Sequence, residues 1–139
     1  MRYRYIAYKY TRRLRPEAGF QGVWESFTSW PLQSAITWRP PTDIYETPDA
    51  IVVVIELAGV AEEDMTVTLF NDLLVVEGQR QPPVTDMNAC HRLGITYGHF
   101  MAEIDIHAPV EHDTVEAEYK NGLLKISLHK INQHARKTS

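Results

Sequence analysis

Cysteine is nearly absent. Cys90 is the only one in 139 residues, so no internal disulfide is available and a reducing compartment suits the chain. Long apolar runs are absent too, and no stretch reaches the roughly 20 residues of a membrane-spanning helix. Arginines near the N-terminus are not followed by the apolar core of a secretory signal. These features point to the cytoplasm and to no membrane partner. Phosphate-binding loops are missing as well: Gly19 and Gly22 lack the Lys-Ser/Thr and the preceding strand that such a loop needs. No serine sits in a Gly-x-Ser-x-Gly elbow. Cys90 and His91 are adjacent, a spacing that seldom aligns a thiol with its base, so a plain thiol is the reading. No enzyme activity and no cofactor are expected.

Metal binding is not expected either. The six histidines are His91, His99, His107, His112, His129 and His134. His99 and His107 share parity, but eight strand residues set them about 26 Å apart. His107 and His112 flank a turn and are the pair able to meet. Surface histidines are the ordinary alternative.

Charge is unevenly spread. Residues 1–40 hold seven basic and two acidic residues, a net of +5, and residues 41–139 hold seven basic and sixteen acidic, a net of −9. A basic arm on an acidic body suits the body of a second copy as well as it suits an anion. The basic run is short and no nucleic-acid motif accompanies it, so no nucleic acid is expected.

Aromatic residues are concentrated in the same arm, which has nine of the fourteen, including Trp24, Phe27, Trp30 and Trp38. Residues 2–6 alternate like a strand, and residues 23–30 have room for one or two helical turns. Pro16, Gly19, Gly22 and Pro31 interrupt any long element, which predicts a flexible arm. Apolar surface that cannot bury itself requires a partner or a second layer on the domain.

After Pro40 and Pro41 the pattern becomes that of an all-β, immunoglobulin-like antiparallel β-sandwich of about 90 residues. Asp43, Ile44, Tyr45 and Glu46 form a short strand. In residues 50–57, Ile51, Val53, Ile55 and Leu57 share one face while Val52 and Val54 cover part of the other, as in a central strand. Met65, Val67 and Leu69 alternate inward with Thr66 and Thr68 outward. Asn71-Asp72 turns into a strand over residues 73–79. Residues 80–97, with Pro82 and Pro83, read as a long loop poor in apolar residues. Phe100, Ala102, Ile104 and Ile106 point inward on the next strand. Asn121-Gly122 then joins two alternating runs (Val115, Ala117, Tyr119; Leu124, Ile126, Leu128) as a type I′ hairpin. The expected organisation is an arm over 1–40, a sandwich over 41–130 and a short tail over 131–139.

The order of these motifs resembles the small heat-shock protein family, in its bacterial and plant branch, whose members carry an α-crystallin domain. The matching residues are Asp43 to Thr47, Glu56-Leu57-Ala58-Gly59-Val60, Glu63-Asp64, Leu74-Val75-Val76-Glu77-Gly78, Tyr97-Gly98-x-Phe100 and Ala117-x-x-x-Asn121-Gly122-x-Leu124. The departures are equally specific. Ala58 stands where the family usually has Pro, Gly94-Ile95 where it has Glu-Arg, and Ala102 where it has Arg. Ile131-Asn132-Gln133 supplies one Ile of the family's Ile-x-Ile tail.

The resemblance implies an ATP-independent chaperone, a holdase that binds unfolding clients. It also implies a homodimer formed when the long loop, with Cys90 and Arg92, pairs with the Asp43, Ile44, Tyr45 and Glu46 strand of a second copy. Client binding and further assembly would fall to Trp24, Phe27, Trp30 and Trp38 in the arm. Val67, Leu69 and Leu128 would join them if they line an edge groove. The alternatives are an adaptor that binds one folded partner and, behind it, a small β-sandwich enzyme.

Overall fold

A computed structural model describes residues 2–4 and 38–131. Its eight strands are β1 (Arg2–Arg4), β2 (Thr42–Glu46), β3 (Ala50–Glu56), β4 (Met65–Phe70), β5 (Leu73–Arg80), β6 (Gly98–Asp105), β7 (Glu116–Lys120) and β8 (Leu123–His129). They form two antiparallel sheets, ordered β1-β7-β8-β3-β2 and β4-β5-β6. Among the described residues there is no α-helix, only two short 3-10 turns at Glu62–Asp64 and His112–Thr114.

Alternation builds the core. Successive side chains on a strand point to opposite faces, so the i, i+2 apolar sets of each strand meet between the sheets. Ile51, Val53, Ile55, Leu57, Met65, Val67, Leu69, Leu74, Val76, Phe100, Ala102, Ile104 and Ile106 are buried there with Leu124, Ile126 and Leu128. The central position of β3 follows from its pairing with both β2 and β8. Val52 and Val54 on its other face are half-buried.

The turns obey local chemistry. Asn121 and Gly122 both have positive φ, 55° and 78°, which a two-residue type I′ hairpin requires. A side chain at Gly122 would also meet the Ala58 Cβ at 2.8 Å, so the hairpin packs on the 57–59 turn. Leu57 donates its N–H to the Gly122 carbonyl at 2.8 Å. Asn71, at φ 53°, reverses the chain between β4 and β5 without a second positive φ at Asp72.

Thr68 points away from the space between the sheets, as expected, and is nonetheless only 1% exposed. One expectation is corrected. The long loop is 81–97, since β5 runs on through Arg80, and it is not poor in apolar surface: Val84, Met87, Leu93 and Ile95 are all exposed.

Candidate functional site

β2 and β6 each end their respective sheets. β2 pairs with β3 from Thr42↔Ile55 to Glu46↔Ile51 and has no neighbour on its other edge among the described residues. Ile44 and Tyr45 lie on opposite faces of this strand, and both are more than half exposed. A strand that shows apolar side chains on both faces and a free row of backbone groups invites pairing. Tyr45 donates to Asp43 Oδ2 at 3.0 Å, and that hydrogen bond, with the charge of the same carboxylate, raises the phenol above its ordinary range. Lys130 Nζ is 3.3 Å from Glu46 Oε2.

A groove of about 370 Å³ runs between β2 and β6, lined by Ile44, Tyr45, Ile51, Ile104 and Ile106 with Glu46, Glu103, Asp105 and His107 at its margins. Apolar walls with a polar margin suit a protein segment better than a small charged ligand.

The 81–97 loop leaves the same sandwich and is tied at its base. Arg80 Nε donates to the Thr96 carbonyl at 2.9 Å, and Nη1 donates to the Ala58 carbonyl at 3.1 Å. The two ends of the loop are therefore fixed, while residues 81–96 are all exposed. Cys90 and Arg92 lie in this exposed part. The recorded neighbour of Cys90 Sγ is Met87 Sδ at 3.0 Å, not a base.

Trp38 sits at the other end of β6. Its N–H donates to the His99 carbonyl at 3.3 Å and its Nε1 to the Gly98 carbonyl at 3.1 Å. Its ring lies 5.2 Å from that of Phe100, and the Arg80 guanidinium stacks on it. Trp38 was counted with the arm; in the structure it is packed on the domain. Trp24, Phe27 and Trp30 lie outside the described residues.

Val67, Leu69 and Leu128 do not line a groove. They are 3%, 1% and 0% exposed and belong to the core, because their strand positions face the opposite sheet. The edge surface is made instead by Ile44 and Tyr45 on β2 and by the loop residues. Sequence reasoning also missed Arg80, which a hydropathy pattern treats as an ordinary exposed strand end.

A second polar feature lies on the outer face of β5 and β6. Glu77 is 6% exposed, and its Oε2 is 3.7 Å from His99 Nε2, in a pocket also lined by Glu63, Asp64, Thr66 and Gln79. Burial pushes the Glu77 carboxyl up to about 7. Among the described residues no three His, Cys, Asp or Glu side chains converge on a metal position. His112 Nε2 lies 3.0 Å from the Asn71 carbonyl. No helix among the described residues is long and apolar enough to cross a membrane.

Two antiparallel sheets with an unpaired β2 edge and a long loop tied at its base define an α-crystallin-type sandwich. The Hsp20/alpha crystallin family model matches residues 43–139. The chain belongs to that family, the small heat-shock proteins. It is 28% identical over 117 residues to small heat shock protein C2 of Rickettsia felis, covering 82% of this chain and 76% of that one. It is 32% identical over 92 residues to the chloroplastic small heat shock protein of Solanum lycopersicum, covering 66% of this chain but only 39% of the tomato protein. The fold is similar to that of heat shock protein 16.0 from Schizosaccharomyces pombe, with a TM-score of 0.64 at 29% identity, over 69% of this chain and 90% of the other.

Proposed function

We propose that this protein is an ATP-independent holdase of the cytoplasm that captures unfolding polypeptides and keeps them from aggregating. One observation carries the reading: a family sandwich whose β2 edge is unpaired and flanked by exposed Ile44 and Tyr45. Unfolded chains expose apolar runs and unpaired backbone, and a strand edge beside an apolar groove satisfies both at once. Capture of this kind needs no nucleotide. The names of the two relatives reported above, both small heat shock proteins, support the same assignment.

The same edge supports self-association. In the proposed dimer the 81–97 loop of each copy lies along β2 of the other, so that Val84, Met87, Leu93 and Ile95 cover Ile44 and Tyr45. Cys90 and Arg92 are then close to the dimer contact. Clients bind where apolar surface remains, in the groove and on the aromatic residues Trp24, Phe27 and Trp30.

The test is aggregation of a heat-denatured client, followed by light scattering with equimolar protein and no nucleotide. Suppression across several unrelated clients is the expected result. A requirement for ATP, or binding to a single folded partner without general suppression, would remove the holdase reading.

A further inference from the structure

Among the described side chains Glu77 is the only charged one that is buried, and one of its oxygens is unsatisfied. Oε2 has no hydrogen-bond partner, and His99 Nε2, at 3.7 Å, is too far away to supply one. A buried carboxyl oxygen without a donor costs free energy, and the cost grows when the group is charged. Such a group calls for a physical reason.

Its surroundings are not a filled interior. Glu77 borders a cavity of about 190 Å³ with Glu63, Asp64, Thr66, Gln79 and His99. Glu63 and Gln79 are exposed, Asp64, Thr66 and His99 are half-buried, and Glu77 is buried, so burial deepens from a solvent rim to the orphaned carboxyl. Strand pairing assembles the site. Thr66 on β4 stands opposite Glu77 on β5, and Gln79 on β5 stands opposite His99 on β6. Glu77 and Gln79, two apart on one strand, share a face. The 3-10 turn Glu62–Asp64 runs directly into β4 and brings two more carboxylates. Three carboxyl groups face one imidazole, so the cavity disfavours anions. The acidic groups do not converge as a metal site would. An organic cation that donates several hydrogen bonds fits what remains.

We infer that this cavity receives the guanidinium group of an arginine side chain on a bound polypeptide, with Glu77 Oε2 as its innermost acceptor and Glu63 and Asp64 balancing its charge. A guanidinium is favoured over an ammonium on three counts. Its planar fork carries five N–H donors and can reach acceptors from β4, β5 and the turn together. It matches a carboxylate at two points. It is also less strongly hydrated, so it loses less on entering a half-closed site. Burial raises the Glu77 carboxyl to about 7, and a cation beside it favours the ionised form. Entry of the guanidinium therefore displaces the proton and gives Oε2 the donor it lacks. The inference does not depend on the holdase reading, because it concerns one side chain and is tested with short peptides.

The test uses the full chain with Cys90→Ser and Ala61→Cys, the new thiol carrying an environment-sensitive dye at an exposed position beside the turn. Acetyl-Gly-Arg-Gly-amide is titrated against the same peptide with lysine and with citrulline, which keeps the shape and loses the charge. Saturable binding of the arginine peptide is expected at pH 8, at least about fivefold tighter than the lysine peptide, with no saturation by citrulline. Between pH 6 and pH 8 the affinity should rise about tenfold, as a carboxyl titrating near 7 goes from mostly protonated to mostly ionised. The other titrating groups on the cavity are Glu63, Asp64 and His99, and Glu77→Gln separates them from Glu77. That substitution should weaken the arginine peptide at least about tenfold at pH 8 and about twofold or less at pH 6. Glu63→Gln, at the exposed rim, should weaken it at least about twofold and leave the buried carboxyl in place. Absence of saturable binding, equal binding of the lysine or citrulline peptide, or a Glu77→Gln loss equal at the two pH values would overturn the proposal.

Discussion

The Arg80 guanidinium lies over the Trp38 indole, with its central carbon 4.0 Å from the ring centroid. The same guanidinium group donates to the carbonyls of Ala58 and Thr96. One side chain therefore joins the residue before the sandwich, the turn after β3 and the far end of the long loop. Trp38→Ala removes the plate under this cation and the contact with Phe100. For a half-buried tryptophan the expected cost is about 2–3 kcal/mol, somewhat below the range for a full core position. Urea unfolding followed by circular dichroism would measure it, and Trp38→Phe should recover part of the loss. A cost below about 0.5 kcal/mol, within the scatter of ordinary surface substitutions, would mean that Trp38 is not part of the fold.

Gly78 offers no room for a side chain. A Cβ there would lie 2.1 Å from the Asp64 carbonyl oxygen and 2.9 Å from the end of the Phe100 ring. The first obstacle is backbone and cannot rotate away. Gly78→Ala is expected to lower stability by at least about 3 kcal/mol, at the upper end for overpacked sites. A thermal melt would show it as a large fall in the midpoint. A near-native midpoint would mean that β4 and β5 separate here more easily than their register suggests.

Glu77 makes stability depend on pH. Its carboxyl titrates near 7 in the folded protein, against an ordinary value of 4.5. The folded state therefore holds the proton more tightly, and stability falls as pH rises from about 4.5 to about 7. Above that range the cost of a buried carboxylate is fully present. The groups facing it are His99 at 3.7 Å and, across the pocket, Glu63 and Asp64. Glu77→Gln keeps the shape and removes the charge. At pH 8 it should be more stable than the parent by about 1–3 kcal/mol, with the gap closing towards pH 4.5. Denaturant unfolding at the two pH values would test this, and a gap independent of pH would refute it.

The loop is expected to make the dimer. Because Arg80 and Thr96 hold its base, deletion of residues 82–93 leaves a shorter connection between strands already paired at Arg80↔Gly98. The deleted protein should keep its strand signal and sediment as a monomer. Asp in place of Ile44 should weaken the dimer in the intact chain by putting a charge into a covered apolar contact, at a cost of several kcal/mol of association. Unchanged mass in both variants would place the dimer contact elsewhere.

Much of the fold was legible in the chain because strand alternation and turn chemistry are local properties. The i, i+2 sets of β3, β4, β6 and β8 identified the core residue by residue. Asn121-Gly122 identified its hairpin because few other pairs accept positive φ at both positions. The Asp43 to Glu46 strand was legible as a short strand, but its expected pairing with a second copy came only through the family resemblance, since four residues of mixed polarity carry little periodic signal. What the sequence by itself could not decide is which outward face stays wet. Thr68, Val75 and Glu77 alternate with core residues just as solvated positions do, and only the packed structure reveals that they are buried. The burial of Val67, Leu69 and Leu128 was decided in the same way, by which sheet lies opposite. Arg80 acquires Thr96, Ala58 and Trp38 as partners from segments 16 to 42 positions away in the chain. Local propensity sets the path of each strand, but burial and hydrogen bonding depend on what the rest of the chain brings against it.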